Sequence, residues 1–346
     1  MRCESLVLSR HSLTPERRFL LTTVIKGPAQ VMSLELTDDE RAGLSALAGR
    51  AMRTAPRLVD HDSWQTEVRA MSCHLPVRLL EAIRGFRHDP GPDGTLTVVG
   101  LPVDGDTLPP TPNVPDSVEP AATLPSVLAM LLGHQLGEVI AYRNEKQGAL
   151  VQNVVPVQSL ATSQSNAGSV PLEMHTENAF HPNRPDYVGL LCLRPAHQHR
   201  VGTRVAAIRR AYPLLGETDR TVLREPRFVT EAPPSFASVD CTSPLPVLTG
   251  STEDPDIRVD FHATSPMDPG ATRALKRLRE ALEEVECKLA LGTGDMVLLD
   301  NRLVVHGRVA FTPRYDGTDR WLHRVFINLD HRRSRISRTG NGSVLE

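Results

Sequence analysis

The sequence lacks the features that define several large classes of protein. Its cysteines are odd in number, scattered and without a CxxC pair: Cys3, Cys73, Cys192, Cys241 and Cys287. This usage argues against a disulfide framework and a structural zinc site. No apolar run approaches the roughly 20 residues that span a bilayer, and a net charge of -2 indicates no polyanion-binding surface. We therefore expect a cytoplasmic protein whose partners are neither nucleic acid nor membrane, and the oligomeric state stays unknown.

The chain is long enough for one large domain with flexible ends. With 346 residues, 40% of them hydrophobic, it can bury a sizeable core. Residues 1–31 lack the apolar segment of a secretory signal, and we expect a flexible tail there, with Met32 as an alternative start. Residues 32–330 are predicted to form a single domain, and the basic, polar residues 331–346 a second flexible tail. The proline- and serine-rich run 232–256 has the composition of a mobile lid over a site.

The hydrophobic periodicity alternates irregularly between helical and extended segments. Apolar residues at helical spacing predict four helices: 37–52, 75–86, 124–142 and 270–289. Runs rich in β-branched residues predict strands: 95–103, 148–157, 186–194, 203–208, 257–263 and 321–330. Six prolines between 104 and 125 indicate a surface loop. Many short strands without a regular strand and helix alternation predict an α+β fold, a jelly roll or β-sandwich flanked by helices.

Two stretches carry residues that bind metals. In EMHTENAF, His175 and Glu177 lie two residues apart on a predicted strand, so both side chains point to one face. In GDMVLLDNRLVVHG, an apolar run leads to His306. Two imidazoles and one carboxylate form the set that holds non-haem Fe(II) with open coordination positions. A His-x-Glu pair alone occurs readily by chance among 13 histidines and 41 acids, so the hypothesis needs further support.

That support comes from Arg320, fourteen residues beyond His306 in RYDGTDRWLHRVF. A guanidinium one hairpin past the distal histidine is suited to clamp a dicarboxylate co-substrate bound at the metal.

With these motifs the chain resembles the clavaminate synthase-like branch of the Fe(II)/2-oxoglutarate-dependent oxygenases, and within it the amino-acid β-hydroxylases of the asparagine oxygenase and arginine hydroxylase type. The resemblance covers roughly residues 130–330. It implies a double-stranded β-helix, or jelly roll, and the cofactors Fe(II), 2-oxoglutarate and O2. By the same resemblance the iron ligands are His175, Glu177 and His306.

The resemblance also assigns the remaining site residues. Arg320 and Thr203 are expected to hold 2-oxoglutarate. Four positions match substrate contacts: Asn166, Glu145, Asp260 and Arg324. Asp260 could instead cap a turn, Asn166 could be a turn residue, and Arg320 and Arg324 could be surface strand arginines. Where arginine hydroxylases carry a second acid, this chain has Arg258, which argues against arginine as the substrate.

The predicted activity is hydroxylation of an amino acid at C3 in peptide-antibiotic biosynthesis. Three alternatives stay open. They are desaturation or hydroxylation of a modified or carrier-bound amino acid at the same iron, a zinc hydrolase with the same three ligands, and a non-catalytic binding relative. Arg320 argues against the hydrolase, because a hydrolase needs no dicarboxylate clamp.

Overall fold

The computed structural model describes residues 32–198, 201–236 and 242–346. The predicted N-terminal tail, 1–31, lies outside them. The helices of the described residues are α1 (Asp38–Arg53), α2 (Asp62–Ser72), α3 (Val77–His88), α4 (Leu124–Leu136), α5 (Ile208–Ala211), α6 (Glu217–Leu223) and α7 (Pro269–Glu284). The strands are β1 (Met32–Glu35), β2 (Thr95–Val99), β3 (Glu138–Tyr142), β4 (Gln152–Val154), β5 (Leu172–His175), β6 (Tyr187–Arg194), β7 (Thr203–Ala207), β8 (Phe228–Thr230), β9 (Leu248–Gly250), β10 (Pro255–Ile257), β11 (Thr264–Pro266), β12 (Cys287–Leu289), β13 (Met296–Asp300), β14 (Val304–Arg308), β15 (Trp321–Asn328) and β16 (Val344–Leu345). The chain is thus a mixture of helices and sheets.

A large sheet separates two apolar cores. Its strand order is β1-β2-β13-β6-β15-β3-β16, with β4 also paired to β15. Alternate residues of β15 face opposite sides: Val325 packs with helices α1 to α4, whereas Phe326 packs with the smaller sheet. A strand buried on both faces is rich in apolar residues, and β15 is apolar at Trp321, Leu322 and 325–327.

The helical layer covers one face of this sheet. Helix α1 begins at Thr37, whose side chain and that of Glu40 form a capping box, so acids and apolar spacing locate it as predicted. Helix α4 is shorter than its apolar run suggests. It ends at Leu136, and the following residues form β3. A Cβ on Gly137 would lie 2.2 Å from the carbonyl oxygen of Asn328, so this glycine permits the close approach by which β3 pairs with β15.

A second correction concerns the helix predicted over 270–289. Helix α7 ends at Glu284, and Cys287–Leu289 forms β12, which pairs with β7. Alternating burial of Cys287 and Leu289 outweighs the helical periodicity there.

The smaller sheet carries the residues of interest. Its strand order is β12-β7-β14-β5, and neighbouring strands are antiparallel. In the pairing of β14 with β5, His306 lies directly opposite His175. Apolar residues of β7 and β14 share one core with residues of β6, β13 and β15. The two sheets therefore face each other.

The segment 331–346 is not the flexible tail that its polar sequence suggested. Val344 and Leu345 form β16, which pairs in parallel with β3, and Leu345 is buried. Ser343 donates a 2.6 Å hydrogen bond to Gln65. Few apolar residues suffice because the backbone completes an existing sheet edge.

The predicted lid, 232–256, is partly described. Phe236 packs against Phe180 with ring centroids 4.8 Å apart, and residues 237–241 lie outside the described part. Strand β9 pairs with β10 through Leu248 and Ile257, both buried. Movement of this run stays a prediction. Separately, the described helices include none that is both long and apolar enough to cross a bilayer.

Candidate metal centre and active-site cavity

A cavity of about 900 Å³ opens between the two sheets. All nine residues predicted for the site line it: Glu145, Asn166, His175, Glu177, Thr203, Asp260, His306, Arg320 and Arg324. They come from segments far apart in the chain, so the fold assembles what the motifs suggested. The proline-rich loop 104–125 also reaches the cavity, through Val114, Asp116 and Ser117.

The two histidines and the glutamate converge on one point. Their ligand atoms all lie within 4.8 Å of one another, and His306 Nε2 is 3.4 Å from Glu177 Oε1. His175 Nδ1 lies 2.8 Å from the carbonyl oxygen of Glu173, so Nδ1 carries the proton and Nε2 is free for a metal. Strand β5 ends at His175, and Glu177 lies in the following turn rather than on the strand.

Asn301 positions the glutamate and was missed in the sequence. It is 1% exposed. Its Oδ1 accepts a 2.7 Å hydrogen bond from the Glu177 amide, and its Nδ2 donates to the carbonyls of Glu177, at 3.1 Å, and Pro185, at 2.8 Å. Its place in the turn between β13 and β14, in LLDNRLVVHG, was the only available signal.

The charges of the centre suit a cation. Burial raises the pKa of Glu177, but the Arg324 guanidinium and the hydrogen bond from His306 outweigh it and hold this pKa well below its usual range. Burial and the neighbouring His175 lower the pKa of His306. An ionised carboxylate and neutral imidazoles are the forms that bind divalent iron. The residues therefore fit Fe(II), with Arg324 as their nearest cation.

Arg324, on β15, is surrounded by hydrogen-bond acceptors from other segments. Its Nη1 donates a 2.9 Å hydrogen bond to Glu177, and its Nη2 donates to Glu145 and Gln152. A guanidinium has five N–H donors, so these bonds leave one Nη1 proton and Nε, which has no described partner.

Arg320 and Thr203 also line this cavity. Arg320 is 8% exposed, and no acidic side chain in the described ranges shifts its pKa, which burial lowers. Thr203, at the start of β7, lies directly opposite Arg308 on β14. Arg308, which the sequence reasoning missed, also lines the cavity. A buried cation without a carboxylate partner is costly unless a ligand supplies the anion, so this end of the cavity suits a carboxylate ligand.

The softer predictions have mixed surroundings. Asp260 Oδ1 accepts backbone hydrogen bonds from His262, at 2.8 Å, and Ala263, at 3.2 Å, so Asp260 caps a turn while also facing the cavity. Arg258 points away, donating to the carbonyls of Ala179 and His181. Arg258, the residue that argued against arginine as the substrate, therefore uses its side chain outside the cavity.

Comparison with known proteins identifies the family. Residues 126–326, more than half of the chain, match the family described as taurine catabolism dioxygenase TauD, TfdA. The chain belongs to this family. It is 43% identical over 320 residues to L-asparagine oxygenase of Streptomyces coelicolor, covering 92% of this chain and 96% of that protein.

Solved structures agree with the family assignment. Asparagine oxygenase in complex with Fe(II), 2S,3S-3-hydroxyasparagine and succinate superposes with a TM-score of 0.88 at 43% identity, covering 90% of this chain and 98% of the other. The non-heme iron oxygenase OrfP with Fe and alpha-ketoglutaric acid gives 0.81 at 32% identity, covering 91% and 100%. The family suggested by the sequence motifs is confirmed, and so is the prediction of an Fe(II)/2-oxoglutarate-dependent dioxygenase.

Proposed function

We propose that the protein hydroxylates a free α-amino acid with a neutral polar side chain at C3, in natural-product biosynthesis. The overall reaction consumes the amino acid, 2-oxoglutarate and O2 and yields the 3-hydroxy amino acid, succinate and CO2. The observation that carries this proposal is that a His-Glu-His group faces one cavity together with Arg320, a buried arginine without an acidic partner among the described residues.

Three residues are proposed as iron ligands: His175 through Nε2, Glu177 through a carboxylate oxygen, and His306 through Nε2. The bound iron supplies the activation of O2. The protein holds Glu177 ionised and shields the site from water. Asn301 fixes the backbone on which Glu177 stands.

Arg320 and Thr203 are proposed to bind the distal carboxylate of 2-oxoglutarate. The guanidinium gives two parallel N–H donors to a carboxylate, and the threonine hydroxyl adds a third. Burial strengthens both interactions, since water does not compete with them.

Arg324 is proposed to bind the carboxylate of the amino acid through its remaining donors. Glu145, which already accepts from Arg324, can also accept from the ammonium group. Asn166 offers a side-chain amide, and Asp260 has one oxygen, Oδ2, beyond those that cap its turn. A single spare carboxylate oxygen suits one N–H donor of a neutral amide better than a guanidinium, so asparagine is the first candidate.

The architecture belongs to the same proposal. Two facing sheets around the cavity are consistent with a double-stranded β-helix, and residues 32–330 with a single domain that the run 232–256 closes as a lid. Cys73, Cys192 and Cys287 are free thiols, which agrees with a cytoplasmic location.

Substrate-dependent succinate release tests the function. Iron-loaded protein is incubated with 2-oxoglutarate, O2 and each free amino acid, and the products are weighed by mass spectrometry. We expect asparagine to stimulate succinate and to gain one oxygen atom. A product two hydrogens lighter would indicate desaturation instead. Succinate production that survives in His175→Ala and His306→Ala would contradict the assigned iron ligands.

A further inference from the structure

Arg308 is a buried cation in the cavity with no role in the reaction outlined above. It ends β14, two residues after His306 and opposite Thr203. Its side chain is 3% exposed. Burial lowers the pKa of its guanidinium, the positive charge of Arg320 lowers it further, and no acidic group within the described ranges opposes them. Two guanidiniums therefore face one cavity without a neutralising carboxylate.

The guanidinium of Arg308 donates hydrogen bonds to the carbonyls of a loop and not to an acidic side chain. Nη1 donates to the carbonyl of Asn166 at 3.3 Å, and Nη2 donates to those of Ser165, at 3.4 Å, and Val170, at 3.3 Å. These are long hydrogen bonds. Nε is buried without a described partner, and the guanidinium lies 5.1 Å from the centre of the Phe311 ring. Arg308 thus anchors residues 165–170 from inside the cavity.

This loop is closed tightly enough to transmit a displacement. Val157 donates to Ala167 at 2.9 Å, and Gly168 donates to Ser165 at 3.2 Å. A Cβ on Gly168 would lie 2.0 Å from the carbonyl oxygen of Ser163. A shift of the carbonyl of Asn166 therefore moves its side chain, which lines the cavity.

We propose that Arg308 is a positioning residue that couples binding of the dicarboxylate co-substrate to binding of the amino acid. This inference rests on the proposed function. Without an anion, Arg308 and Arg320 repel each other and the three long hydrogen bonds to the loop are weak. A carboxylate bound at Arg320 cancels this repulsion, so the hydrogen bonds from Arg308 to its carbonyl acceptors become stronger. These bonds then hold Asn166 in the position that binds the amino acid. The co-substrate thereby prepares the second binding site.

Binding measured without oxygen tests this coupling. Iron-loaded protein is titrated with asparagine by calorimetry, with and without saturating 2-oxoglutarate, whose own binding is followed by the visible absorption of its iron chelate. In the wild type we expect 2-oxoglutarate to lower the Kd of asparagine by at least about five-fold, within the usual range of coupling between sites. By reciprocity asparagine lowers the Kd of 2-oxoglutarate by the same factor.

Arg308→Lys keeps the charge but lacks the fork that reaches three carbonyls. We expect its coupling factor to fall below about two-fold, because a lysine cannot hold the loop in one geometry. KM for asparagine should rise, and succinate formed without hydroxylated product should increase. Phe311→Leu keeps Arg308 and its three carbonyl acceptors and removes only the ring beside the guanidinium, so it should change the coupling in the same direction by a smaller factor.

The matched control is Arg204→Met. Arg204 neighbours Thr203 on β7, but it pairs with Glu286 at 2.9 Å and is not among the cavity-lining residues. It should keep the wild-type coupling. Wild-type coupling in both Arg308→Lys and Phe311→Leu would overturn the inference, as would a wild type without coupling. A wild type that neither binds 2-oxoglutarate nor forms succinate would instead refute the proposed function.

Discussion

Arg324 Nη1 donates a 2.9 Å hydrogen bond to Glu177 Oε1, the oxygen that lies 3.4 Å from His306 Nε2. One side chain therefore contacts both a proposed iron ligand and the proposed amino-acid site. Burial lowers the pKa of Arg324, but the charges and hydrogen bonds of Glu177 and Glu145 outweigh it and raise this pKa above its ordinary value. The cation stays in place, so Glu177 stays ionised across the physiological pH range.

Replacing Arg324 should damage amino-acid binding more than co-substrate binding. Arg324→Met removes charge-assisted hydrogen bonds, and we expect kcat/KM for asparagine to fall by roughly 10–100-fold. KM for 2-oxoglutarate should change far less, because Arg320 remains. Steady-state kinetics with each substrate varied separately measure both. Arg209→Met, which removes an arginine paired with Asp254 at 2.7 Å, is the control, and equal effects on the two KM values would refute the division of roles.

Asn301 should matter for iron although it touches no metal. Asn301→Ala removes the two hydrogen bonds to the backbone of Glu177 and a third to the carbonyl of Pro185, and we expect iron affinity to fall by about 10–100-fold. Competition with a coloured chelator measures the affinity. The exposed Asn113 provides the control variant Asn113→Ala. Unchanged iron affinity in Asn301→Ala would show that the turn holds its shape without this side chain.

Two buried histidines should make the protein sensitive to acid. Burial lowers the pKa of His323 to about 3, and burial with the charge of Arg69 does the same for His134. Below the ordinary histidine pKa of 6.5, these two side chains bind protons in the unfolded chain but not in the folded chain. Their contribution to stability is therefore fully present above pH 6.5 and is lost as the pH falls towards 3.

Removing one of these histidines should reduce that loss. Between pH 7.5 and pH 5.0 we expect His323→Leu to lose about 2 kcal/mol less stability than the wild type. Urea unfolding of the iron-free protein at both values measures the difference. His74 is exposed, so His74→Leu should follow the wild type. A His323→Leu variant with the same pH dependence as the wild type would refute the interpretation.

The C-terminal strand can be tested with two aliphatic residues of one segment. Leu345 is 1% exposed and Ile336 is 95% exposed. We expect Leu345→Ala to cost about 2–3 kcal/mol of unfolding free energy, because it empties a packed position, and Ile336→Ala to cost under about 0.5 kcal/mol. Urea denaturation compares them. Equal, small effects would return this segment to the flexible tail of the sequence-based prediction.

Motifs located the residues that line the cavity better than the sequence located the strands and helices around them. His175, Glu177, His306 and Arg320 were located by motifs, because metal and carboxylate binding demand particular side chains at particular spacings. All four line the same cavity. Asn301 and Arg308 were not found, since their contacts are with backbone carbonyls and amides that any sequence provides. Their roles become visible only when the turn and the loop are folded.

The errors in the fold have a common cause. Strand β3 was merged with helix α4, strand β12 with helix α7, and β16 was missed. Each is a short strand next to a sheet partner distant in the chain, so pairing rather than local periodicity decides its conformation. Gly137 marked the first of these boundaries, although a lone glycine inside an apolar run is an ambiguous signal.

The division of the site between two sheets has a consequence for turnover. His306 belongs to the smaller sheet and His175 ends a strand of it, whereas Arg324 lies in a strand of the larger sheet and Arg320 immediately precedes it. With the proposed roles of these residues, a dicarboxylate bound at Arg320 and at the iron would link the two sheets. Succinate is one carbon shorter than 2-oxoglutarate and has no keto group, so it would link the sheets more weakly than its precursor. The chemistry itself thus loosens the enclosure from which the product must leave.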